Sequence, residues 1–181
     1  MSGYRYIQHG MVLLAVVGWT VVAAAQTPVE FNNLGIEAYK AGRHEEAIAY
    51  FEKAYEGAPD SDTVRRNLCN AHQARANELA KEADFAKAAE HLEIAIGADP
   101  DNASPLIQLG SYYLRMDMVP EAIFRLEEAI ELEPGRLEAH QLLGEAYYQD
   151  NDLPSARAQW EYVLDMDPDR TELRKRYEKA F

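Results

Sequence analysis

The chain has 181 residues, 48% of them hydrophobic and 27% charged, which suits one domain or a short array and is too short for several large domains. With 31 acidic residues against 18 basic, a formal charge of −13 and a pI near 4.8, the chain is not built to bind a phosphate backbone, and no nucleic-acid partner is expected. Its single cysteine excludes both an internal disulfide and a four-cysteine zinc site.

Residues 1–25 stand apart from the rest. Arg5 is the only Lys or Arg among them, and Met11 to Ala25 runs apolar with Thr20 as the one strongly polar interruption. The run closes on Ala23, Ala24 and Ala25 before Gln26. This is the layout of a secretory signal peptide, with cleavage expected between Ala25 and Gln26. The rival reading is a retained inner-membrane anchor over 11–25, but that run falls short of the ~20 apolar residues a span needs. No cysteine lies near the cleavage point to carry a lipid. An exported protein, periplasmic or secreted, is therefore expected, touching a membrane only through this segment if it stays uncleaved.

From residue 28 onward the sequence repeats. Pro59, Pro100, Pro134 and Pro168 are spaced 41, 34 and 34, and Ala47, Ala88, Ala122 and Ala156 keep the same intervals. Small residues recur at Gly35, Cys69, Gly110 and Gly144. Between these marks the periodicity is helical: Leu106, Leu109, Gly110 and Tyr113 share one face, and Ala122, Leu126, Ala129 and Ile130 follow on a second helix. Asp117 and Met118 make the turn, and Pro120 falls in the first turn of the next helix, where its missing N–H is harmless. Each unit thus reads helix, turn, helix and proline stop over 28–61, 62–102, 103–136 and 137–170.

The columns resemble those of the tetratricopeptide repeat family. The first unit reads Phe31, Leu34-Gly35, Tyr39 one position late, Ala47, Phe51, Ala54 and Pro59; the third reads Leu106, Leu109-Gly110, Tyr113, Ala122, Leu126, Ala129 and Pro134. The fourth reads His140, Leu143-Gly144, Tyr147, Ala156, Trp160, Val163 and Pro168. This resemblance implies an all-α, right-handed α-solenoid of four helix-turn-helix repeats plus a C-terminal capping helix over 171–181, packed through Leu173 and Tyr177. The second unit, with Arg65, Leu68-Cys69, His72, Ala88, Leu92, Ala95 and Pro100, is seven residues longer. Seven residues is about two turns, so the helical phase survives. A long helix from about 62 to 82 is expected, its far end projecting past the neighbouring hairpins.

Motifs that carry chemistry are scarce. His44-Glu45-Glu46 begins like a zinc-protease helix but lacks the second histidine, and neither a phosphate loop nor a nucleophile elbow appears. No catalytic, metal or cofactor site is expected, and Cys69 is assigned to packing.

Resemblance to the family instead implies a ligand groove on the first helix of each repeat. Carried over residue by residue, it consists of Asn32, Ile36, Tyr39 and Lys40; Arg66, Asn67, Asn70 and Gln73; Ile107, Gln108, Ser111 and Arg115; and Gln141, Glu145 and Tyr148, flanked by Glu138 and Gln149. Amides suit a peptide backbone, and Lys40, Arg66 and Arg115 set positive charge in an acidic protein. The carboxylate clamp by which some members grip chaperone tails is absent: its positions hold Asn32, Ile36, Asn67, Ser104 and Gln108, and only Asn67 fits. The expectation is a noncatalytic adaptor that binds an extended peptide or partner protein in the bacterial envelope. The alternatives are the N-terminal interaction module of a longer exported hydrolase-like protein, and self-assembly through the array ends.

Overall fold

The computed structural model describes residues 26–181, and the expected signal segment lies outside them. Nine helices and no strand occur among the described residues: α1 (Pro28–Lys40), α2 (His44–Gly57), α3 (Asp62–Lys81), α4 (Phe85–Ala98), α5 (Ala103–Arg115), α6 (Val119–Leu132), α7 (Leu137–Gln149), α8 (Leu153–Met166) and α9 (Thr171–Ala180). Each helix packs on the next in sequence. Contacts also link α1 to α3 and α5 to α7, whereas the second helices make no comparable contacts with one another. The odd-numbered row therefore lies on the inside of the array, as expected of a stack of helical hairpins.

Local chemistry sets the helix ends. Thr27 and Glu30 form a capping box at α1: the Glu30 amide donates to Thr27 Oγ1 (3.2 Å), and the Thr27 amide donates to Glu30 Oε2 (2.7 Å). Every hairpin turn places one residue in the left-handed region, namely Gly42, Ala83, Asp117 and Asn151. The next amide closes a six-residue ring, as from Arg43 N–H to the Ala38 carbonyl (3.0 Å) and Asp84 N–H to the Leu79 carbonyl (2.9 Å). Only Gly42 adopts this conformation without a Cβ clash; Ala83 carries a cost of about 1 kcal/mol.

Within a hairpin, one small residue admits one large one. An added Cβ on Gly35 would meet Phe51, on Gly110 Leu126, and on Gly144 Trp160, each pair sixteen residues apart. Phe51, Leu126 and Trp160 are fully enclosed. Burial of side chains this large stabilises by about 1.5–3 kcal/mol each.

The second repeat departs from its expected alignment. The same sixteen-residue register pairs Leu92 with Ala76, and the two are buried in one cluster. Cys69, expected in that column, packs instead with Phe51, Ala95 and Ala98. Helix α3 therefore serves two frames. Its first half pairs with α1–α2, where Asn67 Nδ2 donates to Asn32 Oδ1 (2.9 Å). Its second half pairs with α4 and α5, where Gln73 Nε2 donates to Gln108 Oε1 (3.4 Å). The seven added residues shift the later repeats about 10 Å along the first. The far end of α3 does not project freely, because Arg75 pairs with Glu45 (2.8 Å) and Glu78 with His44 (2.7 Å) at the start of α2.

This second frame also explains two equivalent histidine contacts. His72 Nδ1 meets His91 Nδ1 at 2.9 Å, and His140 meets Gln159 at the corresponding positions of the fourth repeat (2.7 Å). His72 is buried, its Nε2 has no partner, and burial followed by the proximity of His91 lowers its pKa to about 4. At the C-terminal end α9 covers the last hairpin, with Leu173 buried against Trp160 and Val163.

Candidate peptide groove

The inner face is defined by hydrogen bonds between successive first helices: Asn67 to Asn32, Gln73 to Gln108, and the Tyr112 hydroxyl to Asn77 Oδ1 (2.9 Å). Burial pushes the Tyr112 phenol pKa up, so it stays a donor. Numbering the second repeat from its start leaves Asn77 off the groove face. Counting back from the turn at Ala83 gives the correct frame and brings Asn77 and Lys81 onto this face.

The structure gathers five of the expected groove residues in one place. Ile36, Tyr39, Lys40, Asn67 and Asn70 line a trough of about 220 Å³ between α1 and α3, floored by Phe51. Its walls are mostly apolar, and Asn70 and Lys40 at its edge are exposed and have no side-chain partner among the described residues. Such a site takes an apolar side chain while amides hold the neighbouring backbone. Asn32 is buried and committed to Asn67, so it positions that amide and does not face a ligand.

Farther along, the expected residues separate into three groups. Ile107 is 2% exposed in a cluster with Leu106, Ala129 and Ala139, so it is core and unavailable from the groove. Gln108 and Ser111 are partly open, and the Arg115 guanidinium lies over the Phe85 ring at 5.0 Å. Arg66 is exposed, its Nε donating to the Asp62 carbonyl (3.3 Å).

Helix α9 claims the groove face of the fourth repeat. Arg170 Nη1 donates to Gln141 Oε1 (2.6 Å), and Arg176 pairs with Glu145 while lying over Tyr148 and Trp160. Gln141, Glu145 and Trp160 line a cavity of about 270 Å³ whose other wall is Glu172, Leu173 and Arg176 of α9. Nothing in the sequence columns marks this, because the contacts are between repeats and cap. The open groove thus runs over α1, α3 and α5. Among the described residues no group of three His, Cys, Asp or Glu is placed to hold a metal ion, and no helix is long and apolar enough to cross a membrane.

Comparison with known proteins agrees with this architecture. Two sequence profiles described as tetratricopeptide repeat match residues 28–61 and 114–179, together over half of the chain, on either side of the extended second repeat. Among solved structures, the second TPR domain of human RPAP3, determined in complex with the HSP70 peptide SGPTIEEVD, is 26% identical; the match covers 60% of this chain and 91% of that one, with a TM-score of 0.58. The MamA RS-1 ArsTM double mutant is 19% identical over 87% of this chain and 85% of that one (TM-score 0.64). TTC0263, a thermophilic TPR protein from Thermus thermophilus, is 21% identical over 85% and 98% (TM-score 0.50). No match to the chain is found among curated proteins. With its four small-against-large hairpins, left-handed turns and these matches, the chain belongs to the tetratricopeptide repeat family.

Proposed function

We propose that this chain is an exported, noncatalytic adaptor that holds an extended peptide segment of a partner protein along α1, α3 and α5. The observation that carries the reading is the trough of Ile36, Tyr39, Lys40, Phe51, Asn67 and Asn70, which joins an apolar pocket to free amide and ammonium donors. The human RPAP3 domain, of the same fold, was solved with a peptide, which supports a peptide as the class of ligand. The ligand here is not expected to be a chaperone tail. At the clamp positions this chain has no cation, Asn32 and Asn67 bond each other, and Ser104 accepts from Arg136. The envelope location rests on the order of residues in 1–25 and on nothing in the helical array.

Site-specific photocrosslinking tests the groove. A photoreactive residue at Asn70 or Ser111 should capture a partner in the envelope fraction, and one at the exposed Glu131 on α6 should not. Crosslinks from Glu131 alone would move binding to the outer face. Export is tested by mass spectrometry of the envelope-fraction protein, which should begin at Gln26; an intact N-terminus in the soluble cytoplasm would refute it.

A further inference from the structure

The groove differs in charge from the rest of the molecule. The chain carries 31 carboxylate residues, yet α5 has none, and α1 and α3 have only Glu30, Glu37, Asp62 and Glu78. Three of these four already have partners: Glu30 in the α1 capping box, Asp62 with Arg65, and Glu78 with His44 and Arg75. Glu37 occupies the position equivalent to Glu78, 41 residues earlier.

Four cations lie on the face where these helices hydrogen-bond to one another. Lys40, Lys81 and Arg115 are the last residues of α1, α3 and α5, and Arg66 precedes Asn67. All four are exposed, and none pairs with a carboxylate among the described residues, although most other basic side chains do. Lys81 joins this set only because of the two-frame helix, which sets the α3 terminus beside that of α5. In an acidic protein, an inner face poor in carboxylates and edged by cations is the surface most favourable to an acidic ligand.

We infer that the groove selects an acidic extended segment, with carboxylates for Arg115, Lys81 and Lys40 and an apolar residue for the trough floored by Phe51. The inference rests on the peptide-groove reading and adds the ligand's chemistry to it. Neighbouring first helices lie about 10 Å apart, so the step from Arg115 to Lys81 spans about three extended residues. Lys40 is one helix over and two turns back, about 14 Å from Lys81, or roughly four residues. The ligand therefore carries acidic residues three to four apart with an apolar residue beyond the last.

The test uses a fluorescein-labelled peptide of about 12 residues with glutamates at this spacing and a leucine beyond the last, and its counterparts carrying glutamine or lysine in place of the glutamates. Anisotropy is measured against the chain beginning at Gln26. The glutamate peptide should bind at least tenfold more tightly than the glutamine one at low salt, with the gap closing as salt rises. Lys81→Glu with Arg115→Glu should remove the preference, and the milder Lys81→Gln with Arg115→Gln should reduce it, circular dichroism confirming that both are folded. Equal binding of glutamate and glutamine peptides, or a preference that survives both double changes, overturns the acidic ligand and leaves the groove reading standing. Failure of all three peptides to bind, together with crosslinks only from Glu131, sinks the groove reading itself.

Discussion

Gly144→Ala tests the claim that helix spacing in each hairpin is set by a missing side chain. An ideal Cβ on Gly144 would sit 2.4 Å from both Cδ1 and Nε1 of Trp160 and 3.1 Å from Cγ. Carbon contacts settle near 3.5–4.0 Å, so the indole would have to retreat by about 1 Å. Such a retreat costs native contacts, even with the cavity beside Gln141 and Glu145 to move toward: Trp160 is buried, its Nε1 donates to the Gln141 carbonyl (3.2 Å), and Val163 and Leu173 share its cluster. Overpacking of this kind costs about 1–3 kcal/mol, while Ala gains up to about 1 kcal/mol over Gly in a helix interior. A net loss of about 1–2 kcal/mol is expected. Gly97→Ala is the control, since no atom lies within 4 Å of its added Cβ, and it should be neutral or stabilising. The second repeat supplies a rescue, because it uses Ala76 opposite Leu92. Gly144→Ala with Trp160→Leu should therefore show a favourable coupling of about 1 kcal/mol or more in a double-mutant cycle. Urea midpoints by far-ultraviolet circular dichroism, with m unchanged, give these values. If Gly144→Ala behaves like Gly97→Ala, the close approach does not set the helix spacing and the argument fails.

Ala83→Gly should stabilise by about 0.5–1 kcal/mol in the same urea assay, because Ala83 stands at φ 62° where a Cβ is strained; a loss of stability would show that the turn is not strained. Because the pKa of His72 falls to about 4 in the fold, the unfolded chain binds more protons between that value and ~6.5, so this contribution is intact above pH 6.5 and is lost as pH falls. Urea titrations across this window should show up to about 3 kcal/mol of loss, much reduced in His72→Leu, which copies Leu106 at the equivalent position of the third repeat; an unchanged slope in the variant would exonerate His72. Cys69 is buried with its thiol pushed up to about 11, by burial first and Asp99 second, so a thiol reagent at neutral pH should label it only as fast as the protein opens. Rapid labelling of the folded chain would contradict this placement.

The all-α class and the stacking of hairpins were legible along the chain, because these follow from local rules. Apolar residues at helical spacing make the faces, and small residues at Gly35, Gly110 and Gly144 admit the large residue sixteen positions on. Residues such as Pro120, tolerated in a first helical turn, mark where the next helix begins. Spacing alone could not decide where the second repeat's extra turns belong. Seven residues preserve helical phase, so Cys69 and Ala76 both lie on the correct face, and only packing against Leu92 or against Ala95 and Ala98 separates them. That choice decides the groove, bringing in Asn77 and Lys81 beside Gln73. Exposure was equally out of reach. Ile107 and Gln108 are adjacent in sequence, but Ile107 is enclosed while Gln108 bonds α3. Gln141 and Glu145 read as ligand positions until Arg170, just before α9, and Arg176 within it are laid on them. Helix formation depends on neighbours along the chain, whereas availability to a ligand depends on which distant side chain arrives first, and only the folded array settles that.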